Sequence, residues 1–238
     1  MGKNIETTNN SINSEDAATV SGNNTADSKT FINSLLKKLV KLNYIKPGDV
    51  PNINLYMDQV TTFMDEHLSD VKRHDDDKTL TKTMINNYTK NQLLPAPIKK
   101  KYSKNHIYIL AFIYYFKNIL SISDIQKLLN PLTDNFFGDE ATPDMDTIYK
   151  EIYNLEKGQI SQISQDVLKM SEKADNSFAN VSDEENKEFL QLFSLVCMLS
   201  FDVYLKKNMI ESLIDDYAVR HSSTDNHKKH SDNKKEGK

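Results

Sequence analysis

The run Leu80-Thr81-Lys82-Thr83-Met84-Ile85-Asn86-Asn87-Tyr88-Thr89-Lys90-Asn91-Gln92-Leu93-Leu94-Pro95-Ala96-Pro97 holds a short amphipathic helix and its stop signal. Leu80, Met84 and Tyr88 recur at i, i+4 and i+8, the buried stripe of a helix over Leu80–Asn91. Lys82, Asn86 and Lys90 make a second row with Thr83 and Asn87 beside it, so the opposite face is Lys, Asn and Thr without an acid. Pro95 and Pro97 forbid continuation. Ile98-Lys99-Lys100-Lys101-Tyr102 then reads as a short extended segment.

The surroundings are helical by period and the fold is mainly α. Phe31, Leu35, Leu39 and Leu42 form a stripe closed by Pro47-Gly48, and Met57, Val60, Met64 and Leu68 repeat it over Asn54–Leu68. Ser103 is placed to cap Lys104–Ile119, whose apolar residues cover most of its circumference, as in a helix at the centre of a small domain. Ser121 and Asp124 start Ile122–Leu129, with Pro131 as its expected end. Met145, Ile148, Ile152 and Leu155, then Ile160, Ile163, Val167 and Met170 beyond Gly158, keep a 3-4 spacing. In the last helix Phe189, Leu192, Val196, Leu199, Val203, Ile210 and Leu213 form a seam that needs a partner helix, in the same chain or a second one. Residues 1–27 and 220–238 are polar tails expected to be disordered. Between them lie a domain at 28–134 and a helical dimerisation or effector region at 143–219.

Composition narrows the function. The 238 residues carry a net charge of −4 with one cysteine, Cys197, and six glycines. That excludes a disulfide framework and a thiolate cluster. Neither a Gly-rich phosphate loop nor an H-E-x-x-H or G-x-S-x-G motif occurs, so an enzyme is not expected and no cofactor is implied. Cys197 is expected to pack as a small hydrophobe. The longest unbroken apolar run, Ile107–Phe116, is ten residues, short of the roughly 20 that span a bilayer. With no apolar leader segment, a cytoplasmic protein away from membranes is expected. Asp75-Asp76-Asp77 reads as a solvated loop, and His221, His227 and His230 as part of the tail.

Charge placement says more than the total. Lys78–Ser123 contains eight lysines and no Asp or Glu, so it carries +8 and leaves −12 on the rest of the chain. A basic segment inside an acidic protein is the electrostatic footprint of a phosphate-backbone binder, although charge runs are commonly just solvated faces. Asn pairs bidentately with adenine, Lys reaches guanine acceptors or phosphate, and the Thr methyl meets the thymine methyl. Lysines 99–101 and the Tyr102 hydroxyl suit backbone contacts that position without reading sequence.

These residues resemble a known family. Thr83–Pro95 is similar to the second helix and wing of MerR-type regulators (roughly T-L-R-Y-Y-E-x-x-G-L-L-x-P), Lys101-Tyr102-Ser103 to their R-x-Y strand, and Leu120–Leu129 to their G-x-S-L-x-E-I-x-x-L-L helix. Leu55-Tyr56-Met57-Asp58-Gln59-Val60 with Leu80–Lys90 resembles the signature of a bacterial family of uncharacterised MerR-like proteins. Asn86 stands where the MerR pattern has Arg, and Gln92 where it has Gly. The resemblance spans about Asn54–Leu129. It implies a winged helix-turn-helix that binds double-stranded DNA as a homodimer and regulates transcription. The DNA-contacting residues expected on both grounds are Lys82, Thr83, Asn86, Asn87, Tyr88, Lys90, Lys99, Lys100, Lys101, Tyr102 and Lys104. No effector is indicated for the helical region, though a small molecule would fit such a role. The competing expectation is a non-enzymatic adaptor whose basic domain docks an acidic protein.

Overall fold

Every residue of Ile107–Tyr114 is buried, because a helix apolar on all sides has to be enclosed on all sides. In the computed structural model, which describes residues 30–37, 45–68, 72 and 79–232 (side chains through 221), that run lies in the fourth of seven helices among the described residues. The elements are α1 (residues 30–37), β1 (Leu55–Tyr56), α2 (Met57–Leu68), α3 (Lys82–Lys90), β2 (Lys101–Tyr102), α4 (Lys104–Phe116), α5 (Ile122–Phe136), α6 (Met145–Asp175) and α7 (Glu184–Asp232). The fold is mainly helical. Its one sheet among the described residues pairs β1 with β2 antiparallel, Leu55 opposite Tyr102 and Tyr56 opposite Lys101.

Two compact units divide the described chain, residues 45–163 with 196–232 and residues 30–37 with 164–195. In the first, α2 packs on α3 and both strands, while α4 packs on β2 and α5. Val60, Met64 and Leu68 of α2, Ile85 of α3 and Ile125 of α5 are wholly buried in one core cluster with the apolar residues of α4. Met145 and Tyr149 at the start of α6 belong to this core, and the Tyr149 hydroxyl donates to the Ile45 carbonyl at 2.7 Å. The start of α6 thus completes the first domain, and α1, expected at its N-terminal edge, falls in the other unit. In that second unit Leu36, Ser171, Ala174 and Leu195 are buried, and the Gln191 amide donates to the Asp175 and Ser177 carbonyls at 2.6 and 3.1 Å, closing the turn between α6 and α7.

Several boundaries differ from expectation. Leu55-Tyr56 is extended, since its backbone is taken by β2 before α2 begins. Pro131 sits inside α5, whose far side continues to pack Leu132 and Phe136 on the core, so tertiary burial outweighs the hydrogen bond the ring removes. Gly158 is interior to α6. Helix α7 runs on to Asp232, through most of the stretch expected to be a tail; no Gly or Pro interrupts it. The N-terminal tail and Asp75-Asp76-Asp77 lie outside the described residues, as do the side chains of His227 and His230.

Glu184–His221 of α7 is, among the described residues, the one helix segment long and apolar enough to cross a membrane by length and composition. Counting only unbroken apolar runs misses it, because Asp202 and several polar residues punctuate Phe189–Leu205. Most of its large side chains are exposed: Phe189, Leu192, Val196, Val203 and Leu213 of the seam, along with Phe193, Phe201 and Tyr204 off it. Ile210 instead packs on the chain's own core beside the buried Ile214, so it is taken out of any seam with a second copy, and Leu199 is half-buried. Cys197 is exposed, not packed, because the helix buries little more than Leu195 and Ile214.

Candidate nucleic-acid interface

Helix α3 is fixed at both ends. Thr81 is its N-cap, its hydroxyl accepting from the Met84 N–H at 3.1 Å, a bond worth about 1 kcal/mol. At the other end Gln92 takes φ 59°, the Leu93 N–H reaches back to the Tyr88 carbonyl at 2.9 Å, and the Gln92 N–H reaches Thr89 at 3.1 Å. This is a Schellman closure with a left-handed residue where glycine is favoured. Leu93 and Leu94 are then driven into the core, and the Gln126 amide from α5 donates to the Asn91 carbonyl at 2.5 Å.

Between these anchors the helix sorts its side chains cleanly. Ile85 and Tyr88 are buried and Met84 half-buried. Lys82, Thr83, Asn86, Asn87 and Lys90 are all exposed. At 100° per residue these five fall within one 140° arc. Ile85 is the core residue that the i, i+4, i+8 reading passed over; its β-branched apolar side chain next to Met84 was the available signal.

Ile98–Lys101 forms a two-residue hairpin turn. Ile98 bridges Lys101, the Lys101 N–H donates to the Ile98 carbonyl at 3.0 Å, and the central residues Lys99 and Lys100 take φ 51° and 63°. Positive φ at both positions is what a type I′ turn requires, and its usual residues are Asn and Gly. Lysine there carries backbone strain of about 1 kcal/mol or more per residue. Both lysines are exposed. Lys101 lies over the Tyr56 ring at 5.2 Å.

Not every expected contact residue is free. Tyr88 and Tyr102 are core side chains, and burial pushes both phenols above their ordinary pKa, so they act as struts and not as backbone contacts. Lys104 is half-buried and ion-paired with Asp146 at 2.6 Å. Asp146 also takes Lys150 at 2.6 Å and the Tyr108 hydroxyl. Burial alone would raise that carboxyl, but these donors hold it well below the carboxylate range. Lys104 is therefore a lock between α4 and α6. Lys117, also in the acid-free segment, points inward to the Thr79 carbonyl at 2.8 Å, and its burial lowers its pKa. Lys82 is paired with Asp58 of α2, but both are exposed, and such pairs contribute roughly 0–1 kcal/mol. A phosphate is able to displace the carboxylate. Lys90, Lys99 and Lys100 remain fully presented.

Beneath the turn, His106 accepts from the Ser103 N–H at 2.9 Å through Nδ1, and its ring meets Tyr102 and Phe137 edge-on. Burial depresses its pKa to about 4, against a smaller opposing pull from the Ala96 and Pro95 backbone.

Residues 45–153 match a domain of unknown function, DUF1836. The matched span begins at Ile45, whose carbonyl is held by Tyr149, and includes α3, the hairpin turn and the start of α6. No curated protein and no solved structure matches the chain.

Proposed function

We propose that the DUF1836-like domain is a winged helix-turn-helix of MerR type, and that the protein is a cytoplasmic, sequence-specific transcriptional regulator that grips double-stranded DNA as a homodimer. The observation that carries this reading is the face of α3: five polar side chains, none acidic, all exposed on a helix whose other face is locked into the core. A nine-residue helix is about 13 Å long and suits the major groove. The exposed Lys99–Lys100 turn supplies backbone contacts like those of a wing, and its strained conformation is the kind retained where function requires it. Gln92 adds support, since the position where the MerR pattern carries Gly is left-handed here. The exposed apolar side chains of α7 form the dimer face in this reading, and the protein binds without catalysing.

Fluorescence anisotropy with duplex fragments from the region upstream of the gene tests this. Wild type is expected to bind with an affinity that falls steeply with salt, log K against log salt having a slope of about −0.9 per phosphate neutralised. Lys99→Glu with Lys100→Glu is expected to abolish binding to all duplexes. If the double variant binds like wild type, the reading is wrong. Capture of one acidic protein with no nuclease sensitivity would favour the adaptor instead.

A further inference from the structure

The inventory of donors and acceptors on α3 goes further than duplex binding. In the major groove guanine is read by Arg or Lys, cytosine by Asp or Glu, adenine by Asn or Gln, and thymine by apolar contact with its methyl. The exposed face of α3 has no arginine and no acid. It has two adjacent carboxamides, Asn86 and Asn87, at mid-helix, and Thr83 one turn before Asn87. No hydrogen bond to another described residue engages either carboxamide, so both are available to a ligand. The lysines of this face sit at the two ends of the helix, Lys82 facing Asp58 and Lys90 in the last turn, which leaves the two carboxamides at its middle.

We propose that this face selects A·T base pairs, with the Asn86 and Asn87 carboxamides pairing to adenine N7 and N6 and the Thr83 methyl meeting thymine. The inference rests on the duplex-binding reading above. The chemistry is asymmetric between purines: a carboxamide offers one donor and one acceptor, matching the acceptor N7 and donor N6 of adenine, whereas guanine presents two acceptors and leaves the amide oxygen facing a lone pair. Asn86 and Asn87 are thus the specificity-determining residues.

The experiment uses the full-length protein and a randomised duplex library, followed by anisotropy on the enriched duplex and on the same duplex with 7-deazaadenine, which lacks the N7 acceptor. Selection is expected to enrich A·T pairs at fixed positions. At one of these, Asn87→Ala or Asn86→Ala is expected to flatten the preference by roughly 5- to 150-fold, with circular dichroism unchanged because both positions are exposed. The 7-deazaadenine duplex is expected to weaken wild type and leave the matching alanine variant indifferent. Enrichment of G·C pairs, or an A·T preference that survives both alanine substitutions, would overturn the proposal while leaving duplex binding intact. Failure to retain any duplex at low salt overturns both.

Discussion

Lys99 and Lys100 show how much local cost the chain carries at one point. Replacing them by Asn and Gly, the pair the turn geometry favours, relieves the strain of two left-handed lysines. Lys99→Asn with Lys100→Gly is therefore expected to raise stability by roughly 1–2 kcal/mol in urea denaturation while weakening duplex binding. His106 leads to a pH dependence. Its folded pKa of about 4 lies below the ordinary 6.5, so the unfolded chain takes up a proton in that interval and the folded one resists it. Stability is expected to fall as pH drops from about 6.5 to about 4, by roughly 3 kcal/mol when the interval is fully crossed. His106→Gln, which keeps an acceptor for the Ser103 N–H, should flatten that part of the curve measured by chemical denaturation at each pH. Neither the strain at these two lysines nor the burial of His106 was legible in the sequence. Positive φ at two lysines has no compositional signal, and burial of a histidine depends on what packs over it.

Helix α3 was the most legible element, since its apolar stripe, exposed face and terminating prolines are local properties of the chain. Its end was less so. Gln92 holds a conformation that glycine adopts without penalty, and Gln92→Gly is expected to stabilise the domain by about 1 kcal/mol in thermal or urea unfolding. Truncating Ile85, wholly buried on the opposite face, should instead cost roughly 2–5 kcal/mol as Ile85→Ala. The readings that failed share a cause. Tyr88 and Tyr102 were counted among the contact residues, Tyr102 for its hydroxyl beside the lysines, whereas the core holds both. Pro131 was read as a stop, but the packing of Leu132 and Phe136 carries α5 past it. Lys104 looked like one more free cation until α6 brought Asp146 to it from 42 residues away. Local pattern specifies an element; what covers it is set by residues remote in sequence.

For the molecule as a whole, the acid-free segment overstated the free positive charge, because Lys104 and Lys117 are consumed by the fold and Lys82 faces Asp58. The apolar seam of α7 was legible as helical, but not which of its residues the chain would bury itself. That division gives a test of assembly. Val203 and Leu213 are exposed, so Val203→Glu with Leu213→Glu is expected to convert the proposed dimer to a monomer in sedimentation velocity without loss of helicity. Ile210→Glu, in contrast, should destabilise each chain by disturbing its own core. One property of α7 makes such work direct. The chain has a single thiol, Cys197, which is exposed on that helix, and it has no tryptophan. Maleimide chemistry therefore attaches a spin label or dye at one known place in the unaltered protein, against a background free of indole emission, and a distance measured between two such labels tests whether two copies of this helix come together and in which orientation.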